Sequence, residues 1–218
     1  MPDETPLFPL NTVLFPGMPL PLHIFEPRYR EMIALCSTED RPFGVLLIRE
    51  GMEVGEGAVP FDVGTLARIV GVDRMPDGRM NIITVGTQRF RLLNYSAEKK
   101  PYLVGDVELL GDDQETGVDL TQTVEEVGTL IKRYLTLIQA ASEQELTPLQ
   151  LPTDPEEMSF LVGANLRIHN PERQQLLEME STAERLQLEK SILERETKTI
   201  EEFLQRRNSG SLGPFSRN

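Results

Sequence analysis

The spacing of apolar positions changes once along this chain, close to residue 111. Before that point apolar residues fall in short alternating or continuous runs; after it they recur three and four apart. Leu20, Leu22 and Ile24 alternate as a strand with one buried face. Pro19 and Pro21 lie two apart, so their missing N–H groups fall on one side, which works only at a sheet edge or where the chain needs no partner on that side. Pro27 suits the first position of a helix. Tyr29, Met32, Ile33 and Cys36 then mark one face of a short helix. Phe43 to Ile48 is a continuous apolar run of strand length, and Glu50 to Ala58 is a Gly/Glu loop. Thr65–Val70 and Met80–Val85 read as the arms of a hairpin around Pro76-Asp77-Gly78. There proline presets the turn and glycine tolerates positive φ. Gly86 interrupts before Arg89–Leu93 and predicts a bulge or bend, and Tyr102–Leu110 is a further strand. These regularly spaced strands predict a compact, largely antiparallel β domain, a partly closed barrel.

Gly111 to Gly117 reads as a polar linker. Beyond it, Leu120, Val124, Val127, Leu130, Ile131, Tyr134, Leu135 and Ile138 line one helical face. Asp154-Pro155-Glu156-Glu157 is a helix start, continued by Met158, Phe160, Leu161 and Ala164. A last helix is expected to open at Asn170-Pro171. It carries a heptad-like seam of Leu176, Met179, Ala183, Leu186, Lys190, Leu193, Thr197, Ile200 and Leu204. That seam packs on the other helices of a three-helix domain or pairs with a second copy through Leu186, Leu193, Ile200 and Leu204. The predicted fold class is α+β: a β-rich domain over 1–115, a helical subdomain over 116–207 and a disordered tail over 208–218.

Charge narrows the partners. The 218 residues carry 22 Lys+Arg against 35 Asp+Glu, a net charge of −13. Up to Leu110 there are 11 basic and 15 acidic residues; beyond it, 11 and 20. Neither part is basic, which opposes nucleic acid and anionic membranes as partners. A single cysteine cannot form an internal disulfide, no apolar run reaches the length of a membrane span, and the N-terminus lacks signal-peptide order. A cytoplasmic location is expected.

The segment Leu7-Phe-Pro-Leu-Asn-Thr-Val-Leu-Phe-Pro-Gly-Met-Pro-Leu-Pro-Leu-His-Ile-Phe-Glu-Pro-Arg-Tyr-Arg-Glu-Met32 resembles the opening signature of the Lon protease N-terminal domain. Weaker echoes follow in order at Phe43-Gly-Val, Val63 to Ile69, Pro76-Asp-Gly78 and Val85 to Phe90, and more loosely from Leu166 to Arg185. The resemblance implies a PUA-like pseudo-barrel followed by a helical subdomain. It also implies a role in binding unfolded or exposed polypeptide segments.

Chemistry beyond binding has little to stand on. No G-x-x-x-x-G-K-[ST] phosphate loop occurs, and neither the ATPase nor the Ser–Lys peptidase domain of the resembled protease is present, so a stand-alone, non-catalytic module is expected. Cys36 and His23 form the one conceivable thiol–imidazole pair, but Cys36 falls on an apolar helix face. His23 and His169 read as structural or surface residues. No spaced metal-ligand cluster exists, and Glu50, Glu53 and Glu56 lack the ladder of a calcium loop; no cofactor or metal is expected. Phe25, Arg28, Tyr29 and Arg30 are the candidate peptide contacts, because aromatic and arginine side chains favour interfaces. The competing reading makes Phe25 and Tyr29 core and the arginines solvated. Alternative functions are a scaffold or homodimer formed through the terminal helices, and RNA binding through the PUA-like fold, which the charge opposes.

Overall fold

The computed structural model describes residues 4–55, 57–112, 118–142 and 149–210. Seven strands come first: β1 (Thr5–Leu10), β2 (Pro19–Ile24), β3 (Phe43–Glu50), β4 (Val59–Pro60), β5 (Val63–Arg74), β6 (Met80–Ser96) and β7 (Leu103–Leu109). Helix α1 (Pro27–Glu39) separates β2 from β3. Four helices follow: α2 (Thr121–Ser142), α3 (Pro155–Asn165), α4 (Asn170–Glu178) and α5 (Thr182–Gly210).

The sheet runs β1-β7-β6-β5-β3, and β1 also pairs with β3 in parallel, Leu7 opposite Gly44, so the strands close into a barrel. Because β1 has neighbours on both edges and buried side chains on both faces, Phe8 and Leu10 join one apolar cluster while Leu7 joins another with Leu46, Phe90 and Leu92. Strand β6 is long enough to serve two partners on one edge: β2 along Met80–Val85 and β7 along Phe90–Ser96. At the changeover Gly86 donates to Met18 O and accepts from Gly17 N. The ladder with β5 gains an extra β6 residue immediately afterwards, between Gly86 and Arg89, where the sequence places a bulge.

Strand β2 pairs with β6 alone, which leaves Pro19 and Pro21 the free edge they require. Helix α1 starts on Pro27 and buries Tyr29, Met32, Ile33 and Cys36, the face that its spacing predicts. The β5–β6 hairpin turns at Gly78, whose φ of 82° is open only to glycine without strain.

One expectation fails. The helix predicted to run unbroken from Asn170 is two helices, with Met179 closing α4 and Ser181 Oγ accepting from Glu184 N at the start of α5. The apolar spacing carries across this break without a gap, so it holds no trace of the turn. The carboxyl ends of α4 are instead satisfied by two arginine side chains, described below. At the other end α5 continues through Gly210, past the expected start of a disordered tail; residues 211–218 of that tail, and 113–117 of the linker, lie outside the described residues.

The helical core is not confined to helices. Val13, Phe15, Leu47 and Val63 from the barrel join Val127, Ile131, Tyr134, Phe160, Leu176, Leu186 and Leu193 in one cluster. Gly163 of α3 allows this close approach, since a Cβ there would lie 2.6 Å from the Phe15 ring. Among the described residues no helix is long and apolar enough to cross a membrane.

Glu189 of α5 is fully buried within this helical core, and its carboxylate oxygens find no hydrogen bond of ordinary geometry. Burial pushes its carboxyl well above the usual range, against the pull of Arg185 and the Gly163 backbone. The folded state therefore holds a proton that the unfolded chain releases near pH 4.3, as an ordinary glutamate does. Its stability is fully present below that pH and is lost as pH rises through the folded value. Glu189→Gln should flatten the decline above about pH 4.3 and stabilise the protein at neutrality. Urea denaturation across that range measures both effects. A loss of stability at pH 7 would mean that the carboxylate is charged and paired with Arg185.

Candidate functional site

Where the barrel meets the helices, a cleft of about 1130 Å³ opens between the β1–β2 loop, the bulge of β6 and helix α3. Pro16 to Pro19 form one wall, Leu110 and Leu151 lie along it, and Phe160, Leu161 and Ala164 of α3 face across. The first turn of α3 puts Asp154, Glu156 and Glu157 on the same cleft. Asp154 is the helix cap, accepting from Glu157 N at 2.9 Å, and Pro155 follows at the first helical position. The cap fixes where those carboxylates stand.

A buried ionic cluster holds the walls of this cleft together. Arg89 leaves β6 at the bulge, Arg185 comes from the first turns of α5, and both pair with Asp112, which also accepts from Thr182 Oγ1. Arg89 is 2% exposed and Arg185 0%. Remaining donors go to backbone carbonyls at the end of α4. Arg89 Nη1 reaches Leu177 O and Met179 O, each at 2.7 Å, and Arg185 Nη1 reaches Met179 O at 2.8 Å. These carbonyls lack helical partners, and the negative end of the helix favours cations there. The Phe160 ring lies 4.2 Å from the Arg185 guanidinium carbon and 5.4 Å from that of Arg89. Burial lowers the pKa of Arg89, with Asp112 acting in the opposite direction. A third arginine, Arg173, donates to Leu166 O at 2.7 Å and Val13 O at 3.2 Å, joining α4 to the barrel.

The four predicted contact residues do not share one surface. Tyr29 is buried, with its ring stacked 3.9 Å from that of Phe8, and burial pushes its phenol up to about 12. Arg28 lies over the Tyr29 ring and pairs with Glu26 at 2.9 Å. The guanidinium of Arg30 packs at Gly78, on the hairpin turn. Phe25 alone is largely exposed, 6.1 Å from the His23 ring, so its core reading does not hold. None of the four lines the cleft. The seam residues Leu186 and Leu193 are fully buried in this chain's own core; Ile200 and Leu204 are half-buried.

Cys36 is buried, which pushes its thiol up to about 11, and His23 Nδ1 donates to Asn81 Oδ1 at 2.7 Å across the β2–β6 ladder. Neither is placed for nucleophilic chemistry. Glu53 accepts from Asn11 N at 3.0 Å. Among the described residues no group of three or more His, Cys, Asp or Glu is placed to hold a metal.

Sequence reasoning missed Asp112, Arg89 and Arg185 as a unit. Asp112 lay in the presumed linker, and the two arginines stand 96 positions apart. The available signal was that Arg89 and Arg185 both fall in segments that echo the resembled family.

A closed β barrel thus shares its core with a helical lobe, and a cleft runs along the join. The ATP-dependent protease La (LON) substrate-binding domain model matches residues 4–195, and the chain belongs to that family. A Lon N-terminal domain protein from Xanthomonas campestris superimposes with a TM-score of 0.65 at 25% identity, covering 85% of this chain and 96% of that one. The N-terminal domain of a Mycobacterium avium complex Lon protease gives 0.64 at 18% identity, over 88% of this chain and 98% of that one, which is a likeness of fold. Lon protease from Desulfovibrio desulfuricans is 30% identical over 202 residues, 90% of this chain but 22% of the relative. Lon protease 1 from Hydrogenovibrio crunogenus is 28% identical over 181 residues, again spanning 22% of that protein. The chain thus matches about a fifth of the length of these relatives.

Asp112→Ala should strand two buried guanidinium groups and lower stability by about 3–5 kcal/mol. Arg91→Ala, which breaks an exposed 2.7 Å pair with Glu180, should cost less than about 1 kcal/mol. Guanidinium or thermal unfolding of the two variants makes the comparison; similar losses would show that the buried cluster holds nothing together.

Proposed function

We propose that this chain is a non-catalytic module that binds exposed or unfolded polypeptide segments in the cleft between barrel and helices. The observation that carries this reading is the cleft itself. It is an opening of about 1130 Å³ with apolar walls from Met18, Leu110, Phe160 and Leu161, on a domain whose family model is a substrate-binding domain. An extended segment gains affinity there by burying apolar side chains. Strand addition at β2 is a poorer route, because Pro19 and Pro21 remove two N–H groups from its free edge. Self-association through the terminal helix has less support, since Leu186 and Leu193 are already committed to the core.

Fluorescence anisotropy with labelled, permanently unfolded protein should give saturable binding. Leu161→Asp, which puts a charge on the cleft wall, should weaken it at least about tenfold while the melting curve stays close to that of the parent. Absence of saturable binding across several unfolded proteins would remove the proposal.

A further inference from the structure

A second cavity, of about 1000 Å³, adjoins the cleft. One side of it is helix α2, along Thr121, Val124, Gly128 and Lys132. Leu151, Pro152, Asp154 and Glu156 line both openings, so the two meet at the first turn of α3. Resting on the reading of the cleft as a peptide site, we propose that this cavity is its continuation. One extended polypeptide runs past Leu151 and seats apolar side chains in both compartments.

Dimensions are the first argument. The cleft follows α3 from Asp154 to Asn165, and the cavity follows α2 from Thr121 to Lys132, about 16 Å in each case. Each length holds about five residues of extended chain. A longer segment must leave the cleft, and at the first turn of α3 the way out leads into the second cavity. The lining chemistry also continues. Leu120, Val124 and Met158 line the cavity as Met18, Leu110 and Phe160 line the cleft, and Val118 at its rim is 55% exposed. The divider between them is light. Leu151 rests on α2 at Gly128, where a Cβ would lie 3.2 Å from Leu151 Cδ1. From Leu149 to Thr153 the chain makes no backbone–backbone hydrogen bond to another described residue, so among these residues it shifts aside without breaking one.

The test uses two neutral, labelled peptides of about twelve residues, one with a single leucine anchor and one with two anchors about six residues apart. Titrated against the full chain, the two-anchor peptide should bind about tenfold or more tighter, because its second anchor arrives at high effective concentration. Thr129→Arg fills the second cavity from an exposed helix position; it should erase that gain and leave the melting curve close to that of the parent. Leu161→Asp, in the first cleft, should weaken both peptides. The chain has no tryptophan, so Val118→Trp gives an emission from the second cavity alone, which should change when the two-anchor peptide binds. A gain of about twofold or less, which two anchors sharing one site give by statistics, would overturn the continuation and leave the cleft standing. A larger gain that survives Thr129→Arg, or an unchanged emission, would overturn it as well. No saturable binding of either peptide would remove the cleft and its continuation together.

Discussion

Two buried arginines and one aspartate, packed around a phenylalanine ring, join the barrel to the helices. Arg89 starts from a strand, Arg185 from a helix, and Asp112 from the segment between the two parts of the molecule. Desolvating three charges is expensive, and their mutual attraction repays it only when the remaining donors are also satisfied. Here they are, by the carbonyls at the end of α4 and by Ser159 Oγ, which accepts from Arg185 Nε at 2.8 Å. One cluster thus fixes the relative placement of β6, α3, α4 and α5, and with it the walls of the cleft. Apolar packing alone would join the same elements but is tolerant of sliding; directional hydrogen bonds to named carbonyls are not.

Much of the fold was legible because it is local. The buried face of α1 followed from four apolar positions, the hairpin from Pro76-Asp77-Gly78, and the edge position of β2 from two prolines two residues apart. The break between α4 and α5 was not legible. Leu176, Met179, Ala183 and Leu186 keep a helical rhythm straight through it, and what ends α4 is a pair of side chains arriving from elsewhere in the chain. The burial of Asp112 within that connecting segment was hidden for the same reason: polarity marks a loop in sequence but equally marks a buried ion pair in space.

The site was less legible than the fold. Its walls come from residues 16–19, 87–89, 110–111 and 149–165, and no local pattern assembles them. The cluster at Phe25, Arg28, Tyr29 and Arg30 drew attention because it is contiguous. Helical and strand geometry then send these side chains in different directions, Tyr29 inward onto Phe8 and Arg30 toward the hairpin turn. Family resemblance pointed to recognition, and the cleft between barrel and helices is the place we propose for it.

The parallel pairing of β1 with β3, completed on the other edge by β7, has a temporal side. A ribosome delivers Thr5–Leu10 before the other strands, yet one flank of that strand stays open until Leu103–Leu109 emerges. Barrel closure is therefore a late, long-range event, and folding of this kind is slow compared with helix formation. Throughout that interval the nascent chain carries an apolar strand with a bare edge, so this protein, whose relatives handle other polypeptides, is itself exposed to capture while it is being made.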